Sequence, residues 1–274
     1  MPRFELVDAA TQIAPGVISS EHSEIRLAIS PDGRTALWGS VNRPGGPGGW
    51  NIWMSRRDAS GAWGAPIAVS FNSDANEFDP SFSPDGRFVY FFSNRDGGRG
   101  GDDIYRVLVR GMAFGAVEHL GAEINSAGDE YAPILSPDGR RLMFSSNGRG
   151  GAGRQDLFVA RVRGVGFAAA EPIAGGVNTS ADEFDATWLS DGETIVFARA
   201  PDLAADRIDL FVATKQGDVY DGGTVLSLAV NSSNSDTLGA EIDWSQPSHL
   251  LFSARRAEAN AGGADAYWIE YRLH

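Results

Sequence analysis

The sequence predicts an all-β fold, a five-bladed β-propeller of four-stranded antiparallel blades in which an N-terminal strand closes the last blade. Three features carry this prediction. A pattern of short strands returns five times, an Asp-Gly turn sits between the first two strands of most copies, and the chain opens with the one strand that its last copy lacks.

The repeat is clearest at its turns. "SPDGR" occurs at Ser30 to Arg34, Ser83 to Arg87 and Ser136 to Arg140, and "LSDGE" follows at Leu189 to Glu193, so that Gly33, Gly86, Gly139 and Gly192 stand 53 residues apart. Asp-Gly suits a tight hairpin because glycine reaches positive φ without a Cβ clash. Ahead of the turns, "EIRLAIS", "EFDPSFS", "EYAPILS", "EFDATWLS" and "EIDWS" begin at Glu24, Glu77, Glu130, Glu183 and Glu241. These starts place the copies 53 residues apart three times and 58 the last time.

After the turns come apolar second strands, such as "FVYFF" at Phe88 to Phe92, then third strands such as "DIYR", "DLFV" and "DAYW". The second strands are apolar without alternation, as expected where neighbouring blades cover both faces. A fourth strand follows only four of the five third strands. The missing one is supplied by residues 3–13, so that the ring closes without an open sheet edge. Residues 1–274 are read as one domain.

Composition narrows the partners. A net charge of -13 argues against nucleic acid and against an anionic membrane, both of which require a basic footprint. With zero cysteines there is no disulfide and no thiolate site. No stretch approaches the roughly 20 apolar residues that span a bilayer, and the N-terminus lacks a secretory pattern, so no membrane insertion is expected. We expect a soluble monomer.

The segment "INSAGDEYAPILSPDGRRLMFSSNGRGGAG", Ile124 to Gly153, resembles the WD40-like repeats of the TolB propeller and of OmpA-associated envelope proteins. The resemblance implies a periplasmic or otherwise extracytoplasmic protein that engages proteins or polymers of the polysaccharide or peptidoglycan type through a propeller face.

Three polar rings are expected on one face: the five glutamates that begin the copies, the arginines Arg43, Arg95, Arg149, Arg199 and Arg255, and the third-strand starts Asn51, Asp103, Asp156, Asp209 and Asp265. A role repeated in every blade points to strand ends tied together by charge-assisted hydrogen bonds. A cation or sugar site at the channel mouth is the alternative.

Positions that break the repeat are more informative. Two residues beyond each glutamate, on the same strand face, stand Arg26, Asp79, Ala132, Asp185 and Asp243. Asp79, Asp185 and Asp243 could line the channel as ligands of a divalent cation such as calcium, or as the carboxylate pair of a glycosidase-like enzyme. "GGRGGD" at Gly97 to Asp102 fits a calcium-binding unit that acts in tandem, but it stands alone and reads as a flexible loop. His22, Arg43 and Trp50 fall in inter-blade and glycine-rich loops of the polar face, where they could contact a partner.

No Ser-His-Asp set and no phosphate-binding loop can be traced. The leading expectation is therefore a binding or scaffold propeller that is not an enzyme and needs no cofactor. It engages its partner on the loop face with Arg26, Asp79, Asp185, Asp243, Trp50, Arg43 and His22.

Overall fold

The computed structural model describes residues 4–256 and 263–274. Five antiparallel sheets stand around a common axis as the blades of a propeller, and no helix occurs among the described residues. In blade 2 the order from the axis outward is Glu77–Phe82, Phe88–Ser93, Asp103–Arg110 and Ala113–His119. Blades 1, 3 and 4 follow the same order, with inner strands Ile25–Ile29, Glu130–Leu135 and Asp182–Trp188. In blades 3 and 4 the outer position is divided between two short strands.

Blade 5 is built from both ends of the chain. Thr237–Ile242, His249–Ala254 and Asp265–Leu273 are followed outward by Phe4–Gln12, which runs antiparallel to the third strand from Phe4 opposite Leu273 to Gln12 opposite Tyr267. The expected closure by the N-terminal strand is what the fold shows.

The core lies between the blades. Five apolar clusters fill the five interfaces, for example Leu37, Ile52 and Met54 of blade 1 against Phe82, Val89 and Phe91 of blade 2. Each middle strand is covered on both faces, which explains its continuous apolar run. Trp38 and Trp188 are fully buried in two of these interfaces.

Four hairpins form as the Asp-Gly dipeptides require, with φ from 66° to 69° at Gly33, Gly86, Gly139 and Gly192. The aspartate closes the turn locally: Asp32 Oδ1 accepts from Ser30 Oγ at 2.6 Å and from Arg34 N at 3.0 Å.

The fifth copy is in a different register from the one its sequence suggested. Thr237, not Glu241, begins the inner strand of blade 5, since Thr237 lies opposite Ala254 just as Asp182 and Glu183 lie opposite Ala200 and Arg199. The interval from Glu183 is thus 54 residues and not 58. The glutamate of "EID" imitated the repeat, while the true start carries threonine.

A channel floor built by bulges

The rim of the ring uses its polar groups to hold itself together. Glu24, Glu77, Glu130 and Glu183 are fully buried. Each accepts from the backbone N–H and the hydroxyl of the residue four before it; for Glu77 these are Ser73 N at 2.8 Å and Ser73 Oγ at 2.6 Å. The same pair of bonds comes from Ser20, Ser126 and Thr179 in the other blades. Arg43, Arg95 and Arg199 close on their glutamates at 3.1, 2.9 and 2.7 Å.

Two members depart from the expected rings. Arg149 donates to the carbonyls of Ala122 to Ile124 instead of to Glu130. In blade 5 it is Arg256, not Arg255, that binds inter-blade carbonyls, those of Ala229 and Val230, with its guanidinium over Phe252 and Tyr267.

The glycine-rich loops serve the third-strand aspartates. Arg99 N and Gly100 N donate to Asp103 Oδ2 at 2.5 and 3.3 Å. A Cβ at Gly100 would strike the carbonyl of Gly128 in the neighbouring loop, so glycine is required by close backbone approach. "GGRGGD" is thereby accounted for as a cap over Asp103 that also packs on the next blade.

Sequence reading missed a second element of this rim. Asn72, Asn125, Asn178 and Asn231 stand 53 residues apart, and each uses its amide to bond both backbone groups of a third-strand residue, Ile52, Ile104, Leu157 and Leu210 in turn. Aligning on Asn231 would have placed the start of the fifth copy at Asp236, one residue from Thr237, instead of at Glu241.

The axis is built differently. Every inner strand carries a β-bulge, and the residue at its centre adopts positive φ: Arg26 at 51°, Asp79 at 49°, Ala132 at 51°, Asp185 at 46° and Gly239 at 66°. Left-handed backbone is costly for residues other than glycine, and it recurs in four blades where the bulge re-aims the side chain at its centre. The fifth member is Gly239. Asp243 lies at the hairpin on the opposite side, where its Oδ1 accepts from Ser245 N, Ser245 Oγ and Gln246 N. The expectation that Asp243 joins Asp79 and Asp185 is corrected by this register.

Arg26 fills the middle of the ring and has no solvent exposure. Its Nη1 donates to Ala240 O at 3.0 Å, its Nη2 to Ala186 O at 3.3 Å and to Ala132 O at 3.5 Å, and Nη2 lies 3.0 Å from Glu241 Oε2. One side chain of blade 1 thus reaches blades 3, 4 and 5. Glu241 sits one tier below the bulges, held by Ser81 Oγ at 2.7 Å, and burial pushes its carboxyl up to about 7 against the pull of Arg26 and Ser81.

Above this floor stand Asp79 and Asp185, 5% and 4% exposed. Asp185 Oδ2 accepts from Gly239 N at 2.9 Å. Burial, followed by the neighbouring Asp185, drives the Asp79 carboxyl well above the usual range, with Arg26 opposing. Burial raises Asp185 too, against Arg26 and the Gly239 amide. Among the described residues no group of three or more acidic or histidine side chains is arranged to hold a metal ion.

The loop face around the axis contains the remaining expected residues. Trp50 is 42% exposed, its ring centroid 5.0 Å from that of Phe78 and 6.5 Å from that of Phe92. Phe92 meets Tyr131 edge-on at 4.9 Å. Beside Tyr131, burial and Asp129 push the Asp102 carboxyl up to about 6. His22 and Arg43 sit apart from this patch, lining a cavity of about 370 Å³ with Ser20, Glu21, Gln12 and Asp265 at the seam between blades 5 and 1. The structure therefore divides the expected binding residues into a closed axis, an aromatic and acidic patch, and a seam cavity.

Known structures share this architecture. TolB from Acinetobacter baumannii is similar over 93% of this chain at 15% identity and TM-score 0.56, and the chain spans 57% of that protein's length. The catalytic domain of Coprinopsis cinerea GH62 α-L-arabinofuranosidase is similar over 96% of both chains at 11% identity and TM-score 0.54. Kuenenia stuttgartiensis hydrazine synthase is similar over 89% of this chain and 37% of its own at 14% identity and TM-score 0.55. No protein-family profile and no curated protein sequence matches the chain. At these identities the likeness shows the fold alone, that of a β-propeller.

Proposed function

We propose that this protein is a binding propeller that captures a protein segment or an extracytoplasmic polymer on its loop face, using the Trp50 patch as the anchor. The single observation behind this reading is the contrast in how the polar and aromatic groups are used. The repeated glutamates are consumed within the blades and the axis is blocked by Arg26, whereas Trp50 is substantially exposed on top of an aromatic cluster with Phe78 and Phe92. Tryptophan with one free face is a common anchor for sugars and peptide aromatics. Asp102, Asp129 and Tyr131 give the same patch an acidic rim suited to a cationic or hydroxyl-rich partner.

Calorimetric titration with peptidoglycan fragments and with a peptide panel tests the proposal. Trp50→Ala weakens capture at least tenfold while the variant stays folded at the assay temperature, since nearly half of the ring is exposed and only its packing on Phe78 and Phe92 is lost. Equal capture by the variant overturns the assignment of the patch.

The second reading is a carbohydrate-active enzyme, favoured by the raised carboxyls of Asp79 and Asp185. Both side chains are nine-tenths buried, and Asp243 lies at the far side of the ring. Turnover of any glycan by the purified protein, abolished by Asp79→Ala or Asp185→Ala, would replace the binding reading with this one.

A further inference from the structure

We propose that the groove between blades 3 and 4, on the hairpin side of the ring, binds a linear anion bearing two or more acidic groups, either a phosphate chain or a chain of uronate carboxylates. This site is distinct from the loop face and does not depend on the function proposed above.

The observation is a break in the repeat. Arg141 lies directly opposite Arg161 across the second and third strands of blade 3. The corresponding pairs are Thr35 with Arg56, Phe88 with Leu108, Thr194 with Thr214 and His249 with Glu270, so only blade 3 sets two arginines face to face. Like charges directly opposite on a sheet destabilise it. Arg163, two residues beyond Arg161, projects from the same face about 7 Å further along.

Among the described residues no carboxylate forms an ion pair with this ladder, and Asp138 attracts Arg141 only at longer range. Arg141 donates to Gly192 O at 2.8 Å and stacks over Trp188 at 5.0 Å, contacts that fix its guanidinium but leave its charge. The side chains of Arg161 and Arg163 are exposed and make no hydrogen bond or ion pair with described residues. Lys215 of blade 4 faces them across the groove, with Asp218 3.9 Å from its Nζ. Together these side chains line a cavity of about 460 Å³ that holds four cations against two carboxylates, Glu171 and Asp218.

The neighbouring groove between blades 2 and 3 shows the ordinary arrangement. There Arg106 is held by Glu118 at 2.9 Å, and Asp85 and Asp138 share the walls with it. An excess of unpaired cations in a chain of net charge -13 is the exception. Guanidinium groups pair with phosphate or carboxylate through two parallel hydrogen bonds. Their placement, one pair across the strands and a third along them, suits an extended anion better than a compact one.

The test is calorimetric titration of the full chain at low ionic strength, where such contacts are least screened. Tripolyphosphate, trigalacturonate and inorganic phosphate serve as the three ligands. One of the two chain anions saturates a single site and binds at least tenfold more tightly than inorganic phosphate, and which one does so identifies the source of the charge. The double variant R161Q/R163Q loses at least tenfold in affinity, as expected for removing two charge-assisted contacts. Its melting temperature without ligand is unchanged or higher, because the repulsion with Arg141 is relieved, so weaker binding is not unfolding. Arg87→Gln, in the neighbouring groove, binds as the native chain does. Absence of saturable binding by either chain anion, equal affinity in R161Q/R163Q, or inorganic phosphate binding as tightly as the chains would overturn the proposal.

Discussion

The rim and the axis of this ring use the same residue types to different ends. On the rim, Glu24, Glu77, Glu130 and Glu183 have nearly identical partners, and each blade closes its own strand ends. At the axis the repeat breaks down: arginine, aspartate, alanine, aspartate and glycine occupy the five bulges, and Arg26 binds across the ring to three other blades. Repetition thus marks groups whose bonding is satisfied inside one module. Departure from it marks groups that act between modules or remain available to a partner.

The strongest way to break this comparison is Arg26→Met. It strands Glu241 and several carbonyls in the interior, and loss of one partner from a buried charge pair costs about 3–5 kcal/mol. Urea unfolding should show a loss of that order. A loss below about 1 kcal/mol would mean that Arg26 fills space without joining the blades.

The pH dependence of stability is next. The Glu241 carboxyl is held up to about 7 in the folded chain, above its unfolded value. A raised carboxyl contributes stability that is complete below the unfolded value and is lost as pH rises toward 7. Glu24 adds in the same direction with a value of about 7, and Asp102 and Asp265 with values of about 6. The protein should therefore melt lower at pH 8 than at pH 5. Glu241→Gln should flatten the decline by an amount on the order of 3 kcal/mol, measured by denaturation at a series of pH values.

On the rim, Glu77→Gln should cost about 1–3 kcal/mol, since it disturbs bonds from Ser73, Ser93 and Arg95. Glu130→Gln should cost less, because Arg149 bonds carbonyls instead of that carboxylate. Equal losses would show that the arginine contributes nothing to the rim. The smallest effect belongs to Ala132→Gly, at a bulge with φ of 51°. Relief of left-handed strain against the added freedom of glycine leaves a change within about 1 kcal/mol, in contrast to the other axis substitution.

Much of this was legible in the sequence. The blade count, the hairpins and the N-terminal closure follow from Gly33, Gly86, Gly139 and Gly192, from the apolar middle strands and from the strand missing after the last copy. The face shared by the glutamates, arginines and third-strand aspartates was legible for the same reason. The fifth copy was misplaced because Glu241 resembled the other starts, although Asn231 pointed to within one residue of the true start. His22, Arg43 and Trp50 were singled out as loop residues, yet their division between a seam cavity and an aromatic patch depends on how neighbouring blades meet.

By itself, then, the sequence determined the local units, because a hairpin, an apolar strand covered on both faces and a serine four residues ahead of a glutamate are short-range matters of backbone preference and hydrogen bonding. Only the tertiary structure decided what the axis contains. Period-two alternation cannot reveal a bulge that turns Asp79 and Asp185 toward the centre, nor can it show that Arg26 reaches Ala132, Ala186 and Ala240 from the far side of the ring. Those contacts join residues more than a hundred positions apart, and they exist only once the five blades have closed.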